Sequence, residues 1–149
     1  MTLPLRLIYA SRFAPGFPVD VEDQRDAIGK IIRASIRNNR DVAITGLLLA
    51  HQGWFVQALE GPVRAVADTY ARILRDDRHV GPIVLAEGSA MRAFADWNMC
   101  ARRVSRADDA IVESLGGAGF DPPAWSAENA LSVLLEVRDL QSATMTALV

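Results

Sequence analysis

The sequence predicts an α+β sandwich in which one sheet packs on two helices, and three observations predict it. Segments of alternating or continuous apolar character stand at residues 3–10, 43–50, 54–60, 82–87 and 98–103. Two stretches with apolar residues three and four apart separate them. A length of 149 residues, 50% hydrophobic and 23% charged, suits one ordinary domain with a sizeable core. The order is strand, helix, strand, strand, helix, strand, strand. Its first six elements form the split β-α-β-β-α-β pattern of a ferredoxin-like sandwich, followed by a fifth strand and C-terminal capping helices.

Each element has a local reason. In residues 3–10, Leu5, Leu7 and Tyr9 share one face of a strand. Pro15, Gly16 and Pro18 make a loop, and Asp20 and Asp23 suit a helix start. Ile28, Ile31, Ile32, Ser35 and Ile36 form a helical stripe that closes at Asn38 and Asn39. AITGLLLA at 43–50 fits a strand covered on both faces. Gln52 and Gly53 mark a hairpin into WFVQALE at 54–60, and Gly61-Pro62 stops that strand at a helix first turn. Val63, Val66, Tyr70, Ile73 and Leu74 stripe the second helix.

The tail divides from the rest by charge. Residues 1–104 carry +3 and residues 105–149 carry −5, which suggests a separate layer lying on the sheet. It reads as a short helix at 107–115, a linker FDPPAW at 120–125, and a helix capped by Ser126 with Leu131, Leu134, Leu135 and Leu140 among its apolar positions. Leu131, Leu134 and Leu135 suit either cover of the sheet or packing against a second copy of the chain. One cysteine, Cys100, excludes an internal disulfide and a cysteine-built zinc site. No apolar run nears the roughly 20 residues of a bilayer span, and no export signal is evident, so a cytoplasmic setting is expected with no membrane partner. The balance is not basic enough to suggest a grip on nucleic acid.

The informative residues are polar ones where the pattern calls for apolar ones. Gln57 lies in the third strand between Phe55 and Leu59, with Trp54, Val56 and Ala58 on the other face. A carboxamide there needs polar partners from protein, water or a ligand, since an orphaned buried polar group costs about 1–3 kcal/mol. A core glutamine bonded to backbone meets the same need. Tyr9 suits a core tyrosine with its hydroxyl at the edge, or a phenol paired with Gln57 across neighbouring strands. Asn38 and Asn39 suit a helix C-cap, or paired carboxamides toward the edge of a planar heterocycle. Arg72 stands four residues from Asp68 and from Asp76, the spacing of a surface ion-pair ladder or of an anchor for a phosphate or polyol chain. No glycine-rich phosphate loop, metal-ligand cluster or nucleophile-base spacing is visible.

Six segments in order, LRLIYAS at 5–11, NN at 38–39, ITGLLL at 44–49, GWFVQALEG at 53–61, RILRDDRH at 72–79 and FADWNM at 94–99, resemble the BLUF domain, a blue-light-sensing flavin module of bacteria. The resemblance covers residues 3–103. It implies a flavin, usually FAD, with FMN or riboflavin as alternatives, held non-covalently between the two helices. It implies that Tyr9 is a photoactive tyrosine and Gln57 a switching glutamine. Asn39 would bond the polar edge of the ring with Asn38 beside it. Arg72 and Asp76 would meet the ribityl and phosphate part, and Ile31, Ser35 and Ile73 would line the ring or its entry. Trp97 and Met99 would compete for space near the glutamine. The organisation implied is a flavin domain at 1–104 and a helical cap or output extension at 105–149. The chain then acts as a sensor rather than an enzyme, signalling through its fifth strand and tail to another protein or to a further copy of itself. The loop FAPGFPVDVEDQ at 13–24 is several residues longer than usual in that family.

A small hydrolase on the same sandwich would want more cationic side chains after the first strand than Arg12 alone. A light-independent RNA or protein-binding sheet would use Tyr9, Trp54 and Phe55 as a platform, against a slightly acidic net charge of −2.

Overall fold

The computed structural model describes residues 2–40, 42–95, 98–103 and 120–148. Its elements are β1 (Leu5–Phe13), α1 (Val21–Arg40), β2 (Thr45–His51), β3 (Trp54–Gly61), α2 (Val63–Leu74), β4 (His79–Ser89), β5 (Asn98–Arg103), a single 3-10 turn (Pro122–Ala124) and α3 (Ala127–Leu148). The expected element order holds for all of these. The helix expected at 107–115 lies outside the described residues. β1 runs on to Phe13 and β4 covers eleven residues, longer than the alternation alone predicts, because the two strands stay paired as far as Phe13 opposite His79.

The five strands stand in the order β4-β1-β3-β2-β5. The first four are antiparallel to their neighbours, and β5 pairs with β2 in parallel. The β2–β3 hairpin closes with His51 opposite Trp54, leaving two turn residues. Both have positive φ, 49° at Gln52 and 80° at Gly53, the backbone of a type I′ turn that matches the strands' twist. At the other end of β3, a Cβ on Gly61 would come within 2.9 Å of the Ala43 carbonyl oxygen and of Ile44 Cδ1. Only glycine lets the strand end approach the chain entering β2 this closely. β4 forms one sheet edge, with Gly81 at φ 62°, Pro82 beside it, and two breaks in its register against β1.

α1 begins as its acidic residues suggest, with the Asp20 carboxylate accepting from the backbone N–H of Glu22 and Asp23. Phe17 holds the long preceding loop down. Its ring meets Phe55 edge-on at 5.4 Å and tilts against Phe13 at 4.6 Å.

The two faces of the sheet carry different cores. On one, Leu7, Tyr9, Ile44 and Leu59 pack with Val66 of α2, while Leu48, Ala50 and Phe55 pack with Phe17 and with Ile28 of α1. On the other, Ile8, Ala10, Leu47, Leu49, Val56 and Ala58 pack with Ala130, Val133, Leu134 and Val137 of α3. Leu134 is fully buried there, and Leu131 and Leu135 pack against the same cluster. Leu131, Leu134 and Leu135 therefore cover the sheet of their own chain. Ser126 caps α3 through its hydroxyl, which accepts from Asn129 N–H.

One buried carboxylate organises the sheet's end. Glu60 is 1% exposed and accepts from Arg6 Nε at 2.8 Å, Ala93 N–H at 2.9 Å and Phe94 N–H at 2.8 Å. Arg92 bonds the carbonyls of Ala43 and Glu60 and the Thr45 hydroxyl, and Arg138 of α3 reaches the Ala93 carbonyl at 2.8 Å. The connection that leads from β4 toward β5 is thus clasped by β3 from one side and by α3 from the other. Removing one partner of a buried ion pair strands the other charge and its hydrogen-bond donors. Glu60→Ala should cost about 3 kcal/mol in urea-monitored unfolding, the lower end for a buried pair because Arg6 keeps some exposure.

Candidate flavin site

The cleft between α1 and α2 opens onto the first face of the sheet. Antiparallel register sets its floor, with Tyr9 opposite Gln57 on β1 and β3, and Leu48 of β2 on the other side of Gln57. Residues opposite each other in a sheet point to the same face, so the phenol and the carboxamide are neighbours by construction. The Tyr9 hydroxyl donates a hydrogen bond to Gln57 Oε1. Both side chains are 4% exposed. The glutamine's carbonyl end is thereby committed to the phenol and its NH2 donor end is directed elsewhere.

The cleft contains about 760 Å³ of empty space, part of it open to solvent. Ile31, Ala34 and Asn38 line it from α1, and Thr69, Arg72 and Ile73 from α2. Phe55, Leu48 and Leu59 complete the apolar floor, and Asp76, Arg78 and His79 close one end. The structure therefore brings Tyr9, Ile31, Asn38, Gln57, Arg72, Ile73 and Asp76 to one cavity, seven of the residues the sequence singles out. Ser35 and Asn39 lie on the same helix, α1. Met99 is the second residue of β5. Trp97 lies outside the described residues.

One pairing differs from expectation. Asp76 does not continue an ion-pair ladder with Arg72, because α2 ends at Leu74. Asp76 sits two residues past the helix and binds Arg78, whose Nε donates to its Oδ1 at 2.8 Å and whose terminal nitrogen donates to its Oδ2. The Arg78 hydrogen bonds hold the Asp76 carboxyl below its ordinary range, against the opposing effect of partial burial.

Four further residues complete the site. Thr69 stands four residues before Ile73 on the same helical face, a spacing that points it inward. Arg78 and His79 fall in the turn into β4, where periodicity carries no signal. His79 Nε2 lies 2.7 Å from the Ile73 carbonyl, which can only accept, so that nitrogen carries the hydrogen. In the neutral ring, Nδ1 then accepts from the buried Ser11 hydroxyl at 2.7 Å. Ser11 is the fourth, two residues beyond Tyr9 on the same face. This chain of bonds ties the end of α2 to β1.

Burial pushes the Tyr9 phenol well above its ordinary value, and the negative charge of Asp76 and an ionised Tyr70 would push it further. The site thus keeps a neutral phenol bonded to a neutral amide in a water-poor pocket. A planar heterocycle with an apolar ring end and a uracil-like edge suits this lining: aliphatic walls from Ile31, Leu48, Leu59 and Ile73, carboxamides from Gln57 and Asn38, and cations from Arg72 and Arg78 toward a charged tail.

The family described as sensors of blue-light using FAD, BLUF, matches residues 5–100. The chain belongs to this family of flavin-binding blue-light sensors. The structure named BlrB, a BLUF protein in its dark state, superposes with TM-score 0.67 at 30% identity, covering 89% of this chain and 98% of that one. A bacterial light-regulated adenylyl cyclase superposes with TM-score 0.64 at 31% identity, covering 73% of this chain and 32% of that one. The photoactivated adenylate cyclase subunit beta of Euglena longa is 36% identical over 74 residues, which are 48% of this chain and 9% of that protein. The chain spans less than a tenth of the cyclase subunit it matches. Among the described residues no helix is long and apolar enough to cross a membrane, and no group of three or more His, Cys, Asp or Glu could hold a metal ion.

Two outcomes follow from the charges. The Asp76–Arg78 pair supports the fold above the ordinary carboxylate value of 3.8 and ceases to as pH falls through its lowered value. Arg78→Met should therefore lower the unfolding free energy measured in urea at pH 7 slightly, by the few tenths to about 1 kcal/mol of a partly exposed pair, and the difference from wild type should shrink in acid below pH 3.8. Burial of both phenols, Tyr9 far more than Tyr70, delays their ionisation beyond 10.0. Their preference for the neutral form supports the fold below 10.0 and is lost progressively above it. Absorbance titration of the folded protein should show no full two-tyrosine transition at that pH, and the missing amplitude should appear when the chain unfolds.

Proposed function

We propose that Tyr9 and Gln57 are the photoactive pair of this sensor, and that Ile31, Ser35, Asn38, Asn39, Arg72, Ile73 and Asp76 hold an FAD beside them. The observation that carries this reading is the buried hydrogen bond from the Tyr9 hydroxyl to Gln57 Oε1 on the floor of the cleft between α1 and α2. Arg78 and Thr69 join the holding set by their place in the lining. Bound there, the flavin supplies a strong one-electron oxidant on absorbing blue light, and ring carbonyls that accept hydrogen bonds.

The residues do the rest. Tyr9 is the electron donor, a phenol in a pocket where its ionised form is disfavoured. Losing an electron makes its proton strongly acidic, and the bond to Gln57 Oε1 gives that proton a path. A glutamine that receives a proton at oxygen and releases one from nitrogen, or that rotates by half a turn, exchanges donor and acceptor ends. Either change redirects a hydrogen bond toward the ring edge without breaking any bond between heavy atoms. His79, anchored by Ser11 and the Ile73 carbonyl, keeps α2 fixed against β1 while the amide changes.

The output we propose runs through β3 and β5. Glu60 lies three residues beyond Gln57 on β3 and clasps the peptides of Ala93 and Phe94, next to the segment containing Trp97 and Met99. A shift there can move the packing of residues 105–149 as a cap over the sheet, and from it a partner protein or a second copy of the chain. The change required is a bias of a few kcal/mol between two packings. The chain acts in this reading as a sensor without catalysis of its own, in the cytoplasm. A small hydrolase or a light-independent binding sheet has no comparable use for a phenol and an amide bonded together at the base of a cleft.

Gln57→Leu should bind flavin yet show no red shift of the visible spectrum after blue illumination. Tyr9→Phe should also bind flavin and lose the normal photocycle. A normal light response in either variant would defeat the assignment, and purified wild-type protein that takes up no flavin would defeat the reading as a whole.

A further inference from the structure

The chain has two tyrosines, and they touch. The Tyr70 ring centroid lies 5.3 Å from that of Tyr9 with the planes tilted by 48°. Contact at this distance is close enough for direct electron exchange between the rings. Their surroundings differ. Tyr9 is buried on the floor of the cleft with its proton directed inward to Gln57. Tyr70 stands on α2, is not among the cleft's lining residues, and is only partly buried. The negative charge of the exposed Glu87 on β4 acts on its phenol.

We propose that Tyr70 is a second redox-active residue, which re-reduces light-oxidised Tyr9 and opens a route from small external reductants to the site. The inference rests on the reading of Tyr9 as the electron donor. Oxidised Tyr9, its proton still shared with Gln57 Oε1, takes one electron from Tyr70 and returns to a neutral phenol. Tyr70 loses that electron and releases its phenolic proton to solvent, becoming a neutral phenoxyl radical. A one-electron, one-proton donor of the ascorbate or thiol class restores it to the phenol and is itself oxidised by one electron. The electron Tyr9 first gave up remains on the cofactor, so this route withdraws molecules from the signalling cycle.

The direction follows from the proton. A phenol gives up an electron readily only where its proton can leave. At Tyr9 that proton has an inward route through Gln57, whereas Tyr70 is partly open to solvent. A hole that reaches Tyr70 is held by the loss of that proton, and it lies where a dissolved reductant can collide with it.

The test uses flavin-loaded wild type, Tyr70→Phe, Tyr70→Trp and Tyr9→Phe under continuous blue light with excess ascorbate, following bleaching of the oxidised flavin band. Electron paramagnetic resonance of samples frozen under light without ascorbate gives a second readout. Tyr70→Phe should bleach several-fold more slowly than wild type, keep its red-shifted state and lose the tyrosyl signal of Tyr70. Tyr70→Trp, which restores an oxidisable ring, should recover bleaching. Tyr9→Phe should bleach slowly as well. Equal bleaching in Tyr70→Phe and wild type, with Tyr9→Phe slow, overturns this inference alone. Bleaching at the wild-type rate in Tyr9→Phe overturns it together with the assignment of Tyr9 as donor.

Discussion

The hydrogen bond between Tyr9 and Gln57 depends on a choice made by the whole sheet. β1 and β3 are far apart in the chain but adjacent in space, and their register sets residue 9 opposite residue 57. A slip of one residue would carry the amide to the face under α3, where it would meet Val133 and Leu134 instead of a phenol. The apolar neighbours Leu7, Leu59, Leu48 and Phe55 fix that register, because each has a buried side to keep. The polar pair is thus positioned by the hydrophobic residues around it, and the cost of burying two polar groups is offset by their bond to each other.

The second face completes the arrangement. α3 seals it with Ala130, Val133, Leu134 and Val137, so the strand that carries Gln57 is packed on both sides. Close packing transmits small displacements instead of absorbing them. Glu60 adds direction to this transmission. Its carboxylate joins β1 through Arg6 and the β4–β5 connection through two backbone N–H groups, and Arg138 ties that connection to α3. A movement of β3 therefore has a rigid polar route to the cap as well as an apolar one.

Much of this was legible in the chain. Period-two and period-3.6 patterns placed the elements, and an amide in an otherwise apolar strand singled out Gln57. Asn38 stood out as a carboxamide at the end of a striped helix, whereas helical spacing placed Ile31 and Ile73 only on buried stripes and the family resemblance implied their place at the site. The rest depended on contacts that spacing does not encode. Asp76 pairs with Arg78 because the helix stops at Leu74, and a helix end is the least certain feature of a sequence pattern. His79 finds Ser11 across a β4–β1 register that contains two breaks. Glu60 is as anomalous as Gln57, a charge on an apolar face, yet its place just before Gly61-Pro62 makes it read as the polar end of a strand.

The irregular outer edge formed by β4 bears on how the molecule behaves in company. Val80, Ile83 and Val84 are exposed there, and an unpaired strand of this length invites another chain to add on. Proline at 82 removes one donor, the left-handed backbone at Gly81 turns the strand, and the two register breaks bend it away from a straight ladder. Among the described residues no strand lies beyond this edge, and these features make it a poor template on which another chain could extend the sheet.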